Sequence, residues 1–150
     1  MERSSEDTCF PPADPRASAF FPFSGGGNVL SVGVDLTDVG RVRAALARHG
    51  ERFVQRILSE REAAYCLSKK DPAPHIAARF AAKEAVIKCL GGGCDLKEIE
   101  VVRALSGFPS ITLTGRARER AGDRRVLISL THLDTLACAF AVLVTPEPGA

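Results

Sequence analysis

One segment near the start of the chain alternates between apolar and polar positions in the way a β-strand does. In residues 29–36 every even position is Val or Leu, whereas the odd positions from 31 onward are small or acidic. Asp35 therefore projects from the less apolar side of the predicted strand, near its end. Aspartate is disfavoured inside strands, so its presence needs an explanation. A functional site is one explanation. Capping of the next helix is the other, although Thr37 and Asp38 are better placed for it.

The segment 79–91 predicts a helix with two different sides. At 100° per residue, one side is polar and carries Glu84, Lys88 and Gly91, and the glycine run 91–93 then ends the helix. Taken alone, Glu84 and Lys88 are most simply an i,i+4 ion pair on a solvated surface. The unexplained acid at position 35 favours a functional role instead. The apolar side can be buried and consists of Ala82, Ala85, Val86, Cys89 and Leu90.

The remaining pattern predicts helices in the first half of the chain and strands in the second. This order favours an α+β fold in which an antiparallel sheet packs against one long helix. The predicted elements are helices over 38–49 and 52–58, a further segment opening at Ser59, a chain break at 71–74, strands over 99–102, 110–113, 126–131 and 137–144, and a short helix over 114–121 capped by Thr114.

Residues 1–28 differ in kind from the rest. They hold four prolines and a glycine run and have no hydrophobic period, so we expect a disordered N-terminal extension before a domain over 29–150. The prolines and acidic residues also interrupt any secretory signal. Phe20, Phe21 and Phe23 leave open the alternative that the extension docks on the domain or on a neighbouring subunit.

Composition limits the classes of partner. The chain has 150 residues and 45% hydrophobic content, which supports a single domain with its own core. No apolar run approaches the roughly 20 residues of a membrane span. The formal net charge of +2 is too small to indicate a nucleic-acid partner. Five cysteines without a CxxC pair suit reduced thiols in a cytoplasmic protein better than a disulfide framework.

Three motifs in sequence resemble those of the holo-acyl-carrier-protein synthases, the small 4'-phosphopantetheinyl transferases. The resemblance runs from about residue 29 to residue 144 and implies the α+β fold of that family. The motifs are Gly33-Val34-Asp35-Leu36 followed by Arg41, then Arg79-Phe80-Ala81-Ala82-Lys83-Glu84 with Lys88, and finally Ser129-Leu130-Thr131-His132.

The resemblance implies an activity and its partners. A 4'-phosphopantetheine group would pass from coenzyme A to a serine of apo acyl carrier protein, with Mg²⁺ as cofactor. The products would be holo carrier protein and adenosine 3',5'-bisphosphate, for fatty acid or polyketide synthesis. The resemblance further implies a homotrimer with active sites between adjacent subunits.

The same resemblance assigns roles to single residues. Asp35 and Glu84 would be the Mg²⁺ ligands, a carboxylate pair of the kind that Mg²⁺ shares with substrate phosphates. Glu84 and Lys88 would be catalytic, Glu84 by accepting the serine proton and Lys88 by contacting phosphate. Arg41 and Arg48 would meet the acidic helix of the carrier protein. The expected contacts to coenzyme A are Arg79, Lys88, Gly91, Gly107, Pro109 and His132.

Two other classes of function stay open. A catalytically silent module that binds coenzyme A or carrier protein would keep the arginine side but lose a metal carboxylate, whereas this chain has both Asp35 and Glu84. A basic helix that binds nucleic acid would use the arginines of 41–52, but the segment lacks interleaved aromatic residues and leaves Asp35 unexplained.

Overall fold

The computed structural model describes residues 27–103 and 107–146. The predicted α+β class is confirmed, with a three-stranded antiparallel sheet in the order β1-β5-β4 and a separate antiparallel pair, β2-β3. Each predicted strand is present and is slightly longer than expected. In chain order the elements are β1 (Val29–Asp38), α1 (Val39–Ile57), α2 (Glu60–Leu67), α3 (Pro72–Cys89), β2 (Ile99–Arg103), β3 (Pro109–Leu113), α4 (Gly115–Ala121), β4 (Arg125–His132) and β5 (Leu136–Val144).

The long helix α3 begins at Pro72, well before the predicted start at Arg79. The expected chain break at 71–74 is wrong, because these residues form the first turn of α3. The carboxylate of Asp71 accepts a hydrogen bond from the Ala73 N–H at 3.2 Å and caps the helix. Proline is tolerated in a first turn, where no N–H has an intrahelical partner. The helix ends as predicted, with Gly91 at φ 79°.

The three-stranded sheet lies on α3 at very short range, because both surfaces carry small residues. The inner side of β5 presents Ala137, Ala139 and Ala141, all buried. On β1, a Cβ at Gly33 would lie 2.0 Å from the carbonyl oxygen of Ala85 on α3. Only glycine fits at position 33, and this close approach brings the odd positions of β1, including Asp35, onto α3.

Helix α1 begins at an aspartate other than Asp35. The Asp38 carboxylate accepts a hydrogen bond from the Arg41 N–H at 2.7 Å, so helix capping does not account for Asp35. Helix α1 bends at Gly50, where φ is 50°. Helix α2 opens at Ser59 as predicted, with a capping box between Ser59 and Glu62.

Helix α4 is capped by a residue that the sequence analysis did not consider. Thr114 stands at the N-cap position, but its side chain does not cap the helix, so that expectation is wrong. The Glu98 carboxylate instead accepts hydrogen bonds from the N–H groups of Arg116 (3.1 Å) and Ala117 (3.3 Å). The hydrogen bond that the Asp95 N–H donates to this carboxylate, followed by those from Arg116 and Ala117, holds the pKa of Glu98 below its usual value.

The outer side of β1 is apolar and exposed. Val34 is 54% exposed and lies opposite Phe140 of β5, which is 45% exposed. A sheet in a globular domain usually turns its apolar side inward, so this reversed arrangement indicates a surface that another molecule covers. The other exposed apolar residues on this side of β1 are Leu30, Val32 and Leu36.

Two further points concern the ends of the chain and its helices. Asn28 is already tied to the domain, because its N–H donates to Thr145 Oγ1 (2.9 Å) and its carbonyl accepts from the Thr145 N–H (3.0 Å). Residues 1–26 of the predicted extension, including Phe20, Phe21 and Phe23, lie outside the described residues. Among the described helices, none is long and apolar enough to cross a membrane.

Candidate active site

Asp35 and Lys88 form an ion pair between β1 and α3. Lys88 Nζ lies 2.8 Å from Asp35 Oδ1 and also donates to the carbonyl oxygen of Val34 at 2.9 Å. The hydroxyl of Thr37 donates to Asp35 Oδ2 at 3.0 Å. The Asp35 side chain is only 16% exposed, whereas that of Lys88 is 52% exposed. The carboxylate is thus held in place from two sides, and the ammonium group stays accessible to solvent.

Glu84 lies one helical turn before Lys88 on the same side of α3 and is half-buried. Within residues 27–103 and 107–146, its carboxylate has no hydrogen-bond or ion-pair partner. Asp35 and Glu84 are therefore the two carboxylates available to a hard cation here. No group of three or more His, Cys, Asp or Glu side chains with metal-ligand spacing occurs in the described part of the chain.

A pocket of about 270 Å³ lies beside the N-terminal half of α3. Four of the residues predicted to contact coenzyme A meet there, from α3, the β2–β3 connection, the start of β3 and β4, although their roles stay predictions. They are Arg79, Gly107, Pro109 and His132. The sequence analysis did not select the other lining residues, which are Tyr65, His75, Ala78, Val101, Val102, Arg103 and Leu130.

Aromatic and basic groups stack tightly in this pocket. The guanidinium of Arg79 lies over the ring of Tyr65, 4.3 Å from its centroid, and Lys69 Nζ lies 4.2 Å from the same centroid. The rings of His75 and His132 meet edge to face, with centroids 4.9 Å apart. Arg79 Nε is buried without a hydrogen-bond partner among the described residues. A buried donor of this kind normally has a partner, so its position suits a ligand acceptor.

The charge of the pocket favours an anion. Among the described residues, its lining includes two arginines and two histidines but no carboxylate. Burial lowers the pKa of His75, and the nearby His132, Lys69 and Arg79 lower it further. Apolar and basic side chains line the pocket together, and this combination is suited to a ring system that carries a phosphate.

Asp35 of the carboxylate pair and the pocket residue Leu130 lie in one row of paired residues across the sheet. Lys88 and Gly91 do not line the pocket, and Gly91 lies near Arg120 at the far end of α3. The sheet register links the carboxylate pair to the pocket, because Asp35, Ala139 and Leu130 form one row across β1, β5 and β4. Leu130 lines the pocket, so Asp35 stands two strand spacings from it, about 10 Å.

A buried ion pair beside the pocket was not predicted. Lys83 Nζ lies 2.7 Å from Glu62 Oε2, and the two side chains are 0% and 1% exposed. Lys83 also donates to the carbonyl oxygens of Ile57 (2.7 Å) and Leu96 (3.2 Å). The other Glu62 oxygen accepts from the N–H of Val101, which lines the pocket. The pair thus connects the helix that carries Glu84 to the strand that forms the pocket wall.

The sequence contained two signals for this pair. Lys83 lies three and four residues from Val86 and Ile87, on the apolar side of α3, where a lysine requires a partner. Glu62 closes the Ser59 capping box through Oε2, the oxygen that Lys83 also approaches, so the capping box fixes the carboxylate in place for the pair. Burial lowers the pKa of Lys83, and Glu62 opposes that shift.

The arginines of α1 differ in their surroundings. Arg43 makes two hydrogen bonds to Asp71, each 2.8 Å long. Arg41 and Arg48 are exposed and, among the described residues, neither guanidinium has an acidic partner. Both lie before the bend at Gly50, so their spacing of seven places them on one side of the helix, as predicted.

Comparison with known proteins identifies the family. Residues 31–141 match the family model described as the 4'-phosphopantetheinyl transferase superfamily. The holo-[acyl-carrier-protein] synthase of Chlamydia pneumoniae is 39% identical over 118 residues, which cover 76% of this chain and 96% of that protein. The corresponding enzyme of Desulforudis audaxviator is 40% identical over 125 residues, covering 79% of this chain and 95% of that protein.

Solved structures agree with these matches. The holo-(acyl-carrier-protein) synthase of Bacillus anthracis, in complex with CoA (3',5'-ADP), aligns with a TM-score of 0.68 and 27% identity, over 81% of this chain and 100% of that one. The acyl carrier protein synthase of Mycobacterium tuberculosis aligns with a TM-score of 0.65 and 31% identity, over 79% and 100%. The resemblance inferred from the three motifs is confirmed, and the chain belongs to the holo-acyl-carrier-protein synthases, enzymes of the phosphopantetheinyl transferase superfamily.

Proposed function

We propose that this protein transfers 4'-phosphopantetheine from coenzyme A to a serine of apo acyl carrier protein in a Mg²⁺-dependent reaction. The products are holo carrier protein and adenosine 3',5'-bisphosphate, and the reaction serves fatty acid or polyketide synthesis in the cytoplasm. One observation carries the proposal: the Asp35–Lys88 pair stands two strand spacings, about 10 Å, from Leu130, which lines a basic pocket.

The donor set fits magnesium. Mg²⁺ is held by one or two protein carboxylates while substrate phosphates and water complete its shell, and Asp35 and Glu84 are two such groups. Thr37 and Lys88 fix Asp35 in position, and Glu84 is available as a ligand. When bound, the ion offsets the negative charge of the phosphate oxygens during transfer.

Residues of this chain accept the proton of the acceptor serine and bind the charged phosphate oxygens. Glu84 accepts the proton of the acceptor serine, directly or through water, and the serine oxygen then bonds to the phosphorus attached to pantetheine. The bond from that phosphorus to the bridging oxygen breaks, and adenosine 3',5'-bisphosphate leaves with the oxygen. Lys88 uses two of its three N–H donors on Val34 and Asp35, so one is left for a phosphate oxygen.

The pocket beside α3 receives the nucleotide half of coenzyme A. Val101, Val102 and Pro109 provide apolar walls for adenine. Arg79 and His132 bind the 3'-phosphate or the pyrophosphate, and the buried Arg79 Nε gains an acceptor. Relatives support the choice of ligand, since the solved synthases of Bacillus anthracis and Helicobacter pylori are complexes with coenzyme A or its 3',5'-ADP part.

The exposed side of α1 meets the carrier protein. Arg41 and Arg48 present two cations on one side of the helix, complementary to an acidic recognition helix. Arg43 is engaged by Asp71 and contributes less.

The apolar outer side of β1 and β5 is the subunit interface of a homotrimer. Val32, Val34 and Phe140 belong to a continuous exposed patch on the sheet, which assembly removes from water. The number of subunits follows from the resemblance to the family, and the position of the interface follows from the patch.

Incubation with coenzyme A, Mg²⁺ and apo acyl carrier protein, followed by intact mass measurement of the carrier protein, tests the proposed function. We expect the carrier protein to gain the mass of one 4'-phosphopantetheinyl group. A carrier protein whose acceptor serine is replaced by alanine is the control and should gain nothing. Binding of both partners without any gain of mass would instead identify a catalytically silent binding module.

A further inference from the structure

His75 lies in the nucleotide pocket but has no role in the proposal above. It sits in the first turn of α3, and its ring meets the ring of His132 edge to face at 4.9 Å between centroids. Tyr65 packs against the other edge, with centroids 6.0 Å apart. The His75 carbonyl accepts a hydrogen bond from Arg79 at 3.4 Å, which ties it to the residue with the unpartnered buried Nε.

The groups that face His75 are almost all basic. Lys69, in the turn after α2, and Arg79 of α3 approach it from one side, and His132 approaches it from β4. The carboxylate that acts on His75 is that of Asp71, and two hydrogen bonds from Arg43 already occupy it. The imidazole is therefore partly buried among basic groups. Its protonated form is disfavoured there until an anion binds beside it.

We infer that His75 is a proton-linked ligand for a phosphate monoester in this pocket. The inference rests on the proposed function, because coenzyme A supplies such a group as its 3'-phosphate. The dianion binds between His75, His132 and Arg79, and His75 takes up one proton from solution. Its ring N–H then makes a charge-assisted hydrogen bond to a phosphate oxygen.

This role predicts a specific pH dependence. A phosphate monoester is largely dianionic above its second pKa of about 6, and histidines titrate between about pH 5 and 8. Affinity for coenzyme A should thus fall as pH rises from about 6.5 to 8, because the proton that His75 must gain becomes scarcer. Dephospho-coenzyme A keeps the pyrophosphate but lacks the 3'-phosphate, so its affinity should change little over the same range.

Titration calorimetry in two buffers of different ionisation enthalpy measures the proton uptake directly. The ligands are coenzyme A and dephospho-coenzyme A at constant Mg²⁺. His75→Phe keeps an aromatic ring against Tyr65 and His132 but cannot titrate, and His75→Gln serves if the first variant folds poorly. His49→Gln is the matched control, since His49 is the remaining histidine of the chain and is exposed on α1.

We expect wild type and His49→Gln to take up a proton with coenzyme A but not with dephospho-coenzyme A. The His75 variants should lose that uptake and bind coenzyme A about tenfold more weakly at pH 6.5, as expected for loss of one charge-assisted hydrogen bond. Undiminished uptake in the His75 variants would overturn the inference and assign the proton to His132. Equal uptake with dephospho-coenzyme A would move the linkage to the pyrophosphate and also overturn it.

The two proposals fail in different ways. Transfer to carrier protein without proton uptake at His75 would overturn this inference and leave the proposed function standing. If wild type bound no coenzyme A, both proposals would be wrong.

Discussion

Gly33 of β1 passes directly over Ala85 of α3, so closely that a Cβ at position 33 would lie 2.0 Å from the Ala85 carbonyl oxygen. The same hypothetical atom would lie 2.8 Å from the Cys89 backbone nitrogen. Both neighbours are backbone atoms of a buried helix, which no side-chain rotation can move. This approach sets the distance between Asp35 on the strand and Lys88 on the helix.

Gly33→Ala should therefore displace β1 from α3 and impair both stability and transfer. Overpacking of a tight core typically costs about 1 to 3 kcal/mol, and backbone atoms leave little room for relief. Urea unfolding and the transfer assay measure the two effects. A variant with wild-type stability and turnover would show that β1 lies farther from α3 than the 2.0 Å distance to the Ala85 carbonyl oxygen implies.

The Lys83–Glu62 pair should matter to stability far more than the exposed Arg43–Asp71 pair. Removing one partner of a buried ion pair leaves an uncompensated charge and costs about 3 to 5 kcal/mol, so Lys83→Met should be strongly destabilising. Lys83→Met combined with Glu62→Gln should recover part of the loss, because the buried charge is gone. Urea unfolding of both variants checks this.

Arg43→Met is the control for that experiment. It breaks an ion pair of similar length whose side chains are 52% and 46% exposed, and stability should hardly change. Equal losses for Lys83→Met and Arg43→Met would contradict the view that burial makes the first pair important.

The sequence predicted the parts of the site that depend on local periodicity. Strand alternation placed Asp35 on the side away from Val34, and helical spacing put Glu84 and Lys88 together. The features that the sequence did not predict correctly depend on contacts between distant segments. Thr114 had the residue type of a cap, but Glu98, from an earlier turn, makes the hydrogen bonds. His75 belongs to the pocket only because α2 and β4 bring Tyr65 and His132 beside it.

The outer side of β1 shows a further limit of sequence patterns. Alternation identifies an apolar side, but it cannot say whether that side meets the chain's own core or another molecule. Here the helix covers the polar side, because Gly33 and the β5 alanines permit a closer approach than Val32 or Val34 would.

The proposed subunit interface of a homotrimer can be tested at Val34. Val34→Asp places a charge in the exposed apolar patch and should shift the protein from trimers to smaller species, because burying an unpaired carboxylate is costly. Sedimentation or mass photometry measures the assembly. Thr112→Asp, on the exposed side of β3, is the control and should remain trimeric. A Val34→Asp protein with an unchanged mass would place the interface elsewhere.

The carrier-protein surface can be tested at Arg41. Arg41→Glu reverses an exposed charge and should raise the KM for carrier protein about tenfold at low salt, with little effect on coenzyme A binding. The effect should shrink with added salt, because exposed charges are screened within about 8 Å at physiological ionic strength. Arg116→Glu, on the exposed surface of α4, is the control for net charge. Equal weakening of coenzyme A binding would move Arg41 into the donor site.

The most direct test of the central claim is the rate of phosphopantetheine transfer as a function of Mg²⁺ concentration, followed by intact mass of the carrier protein. Asp35→Asn and Glu84→Gln each remove one charged ligand from a two-carboxylate site and should lower the rate roughly a hundredfold or more at any Mg²⁺ concentration. Asp38→Asn is the matched control, because asparagine still caps α1 and the rate should stay near wild type. If Asp35→Asn or Glu84→Gln turned over at the wild-type rate in saturating Mg²⁺, the assignment of that residue to the metal would be wrong.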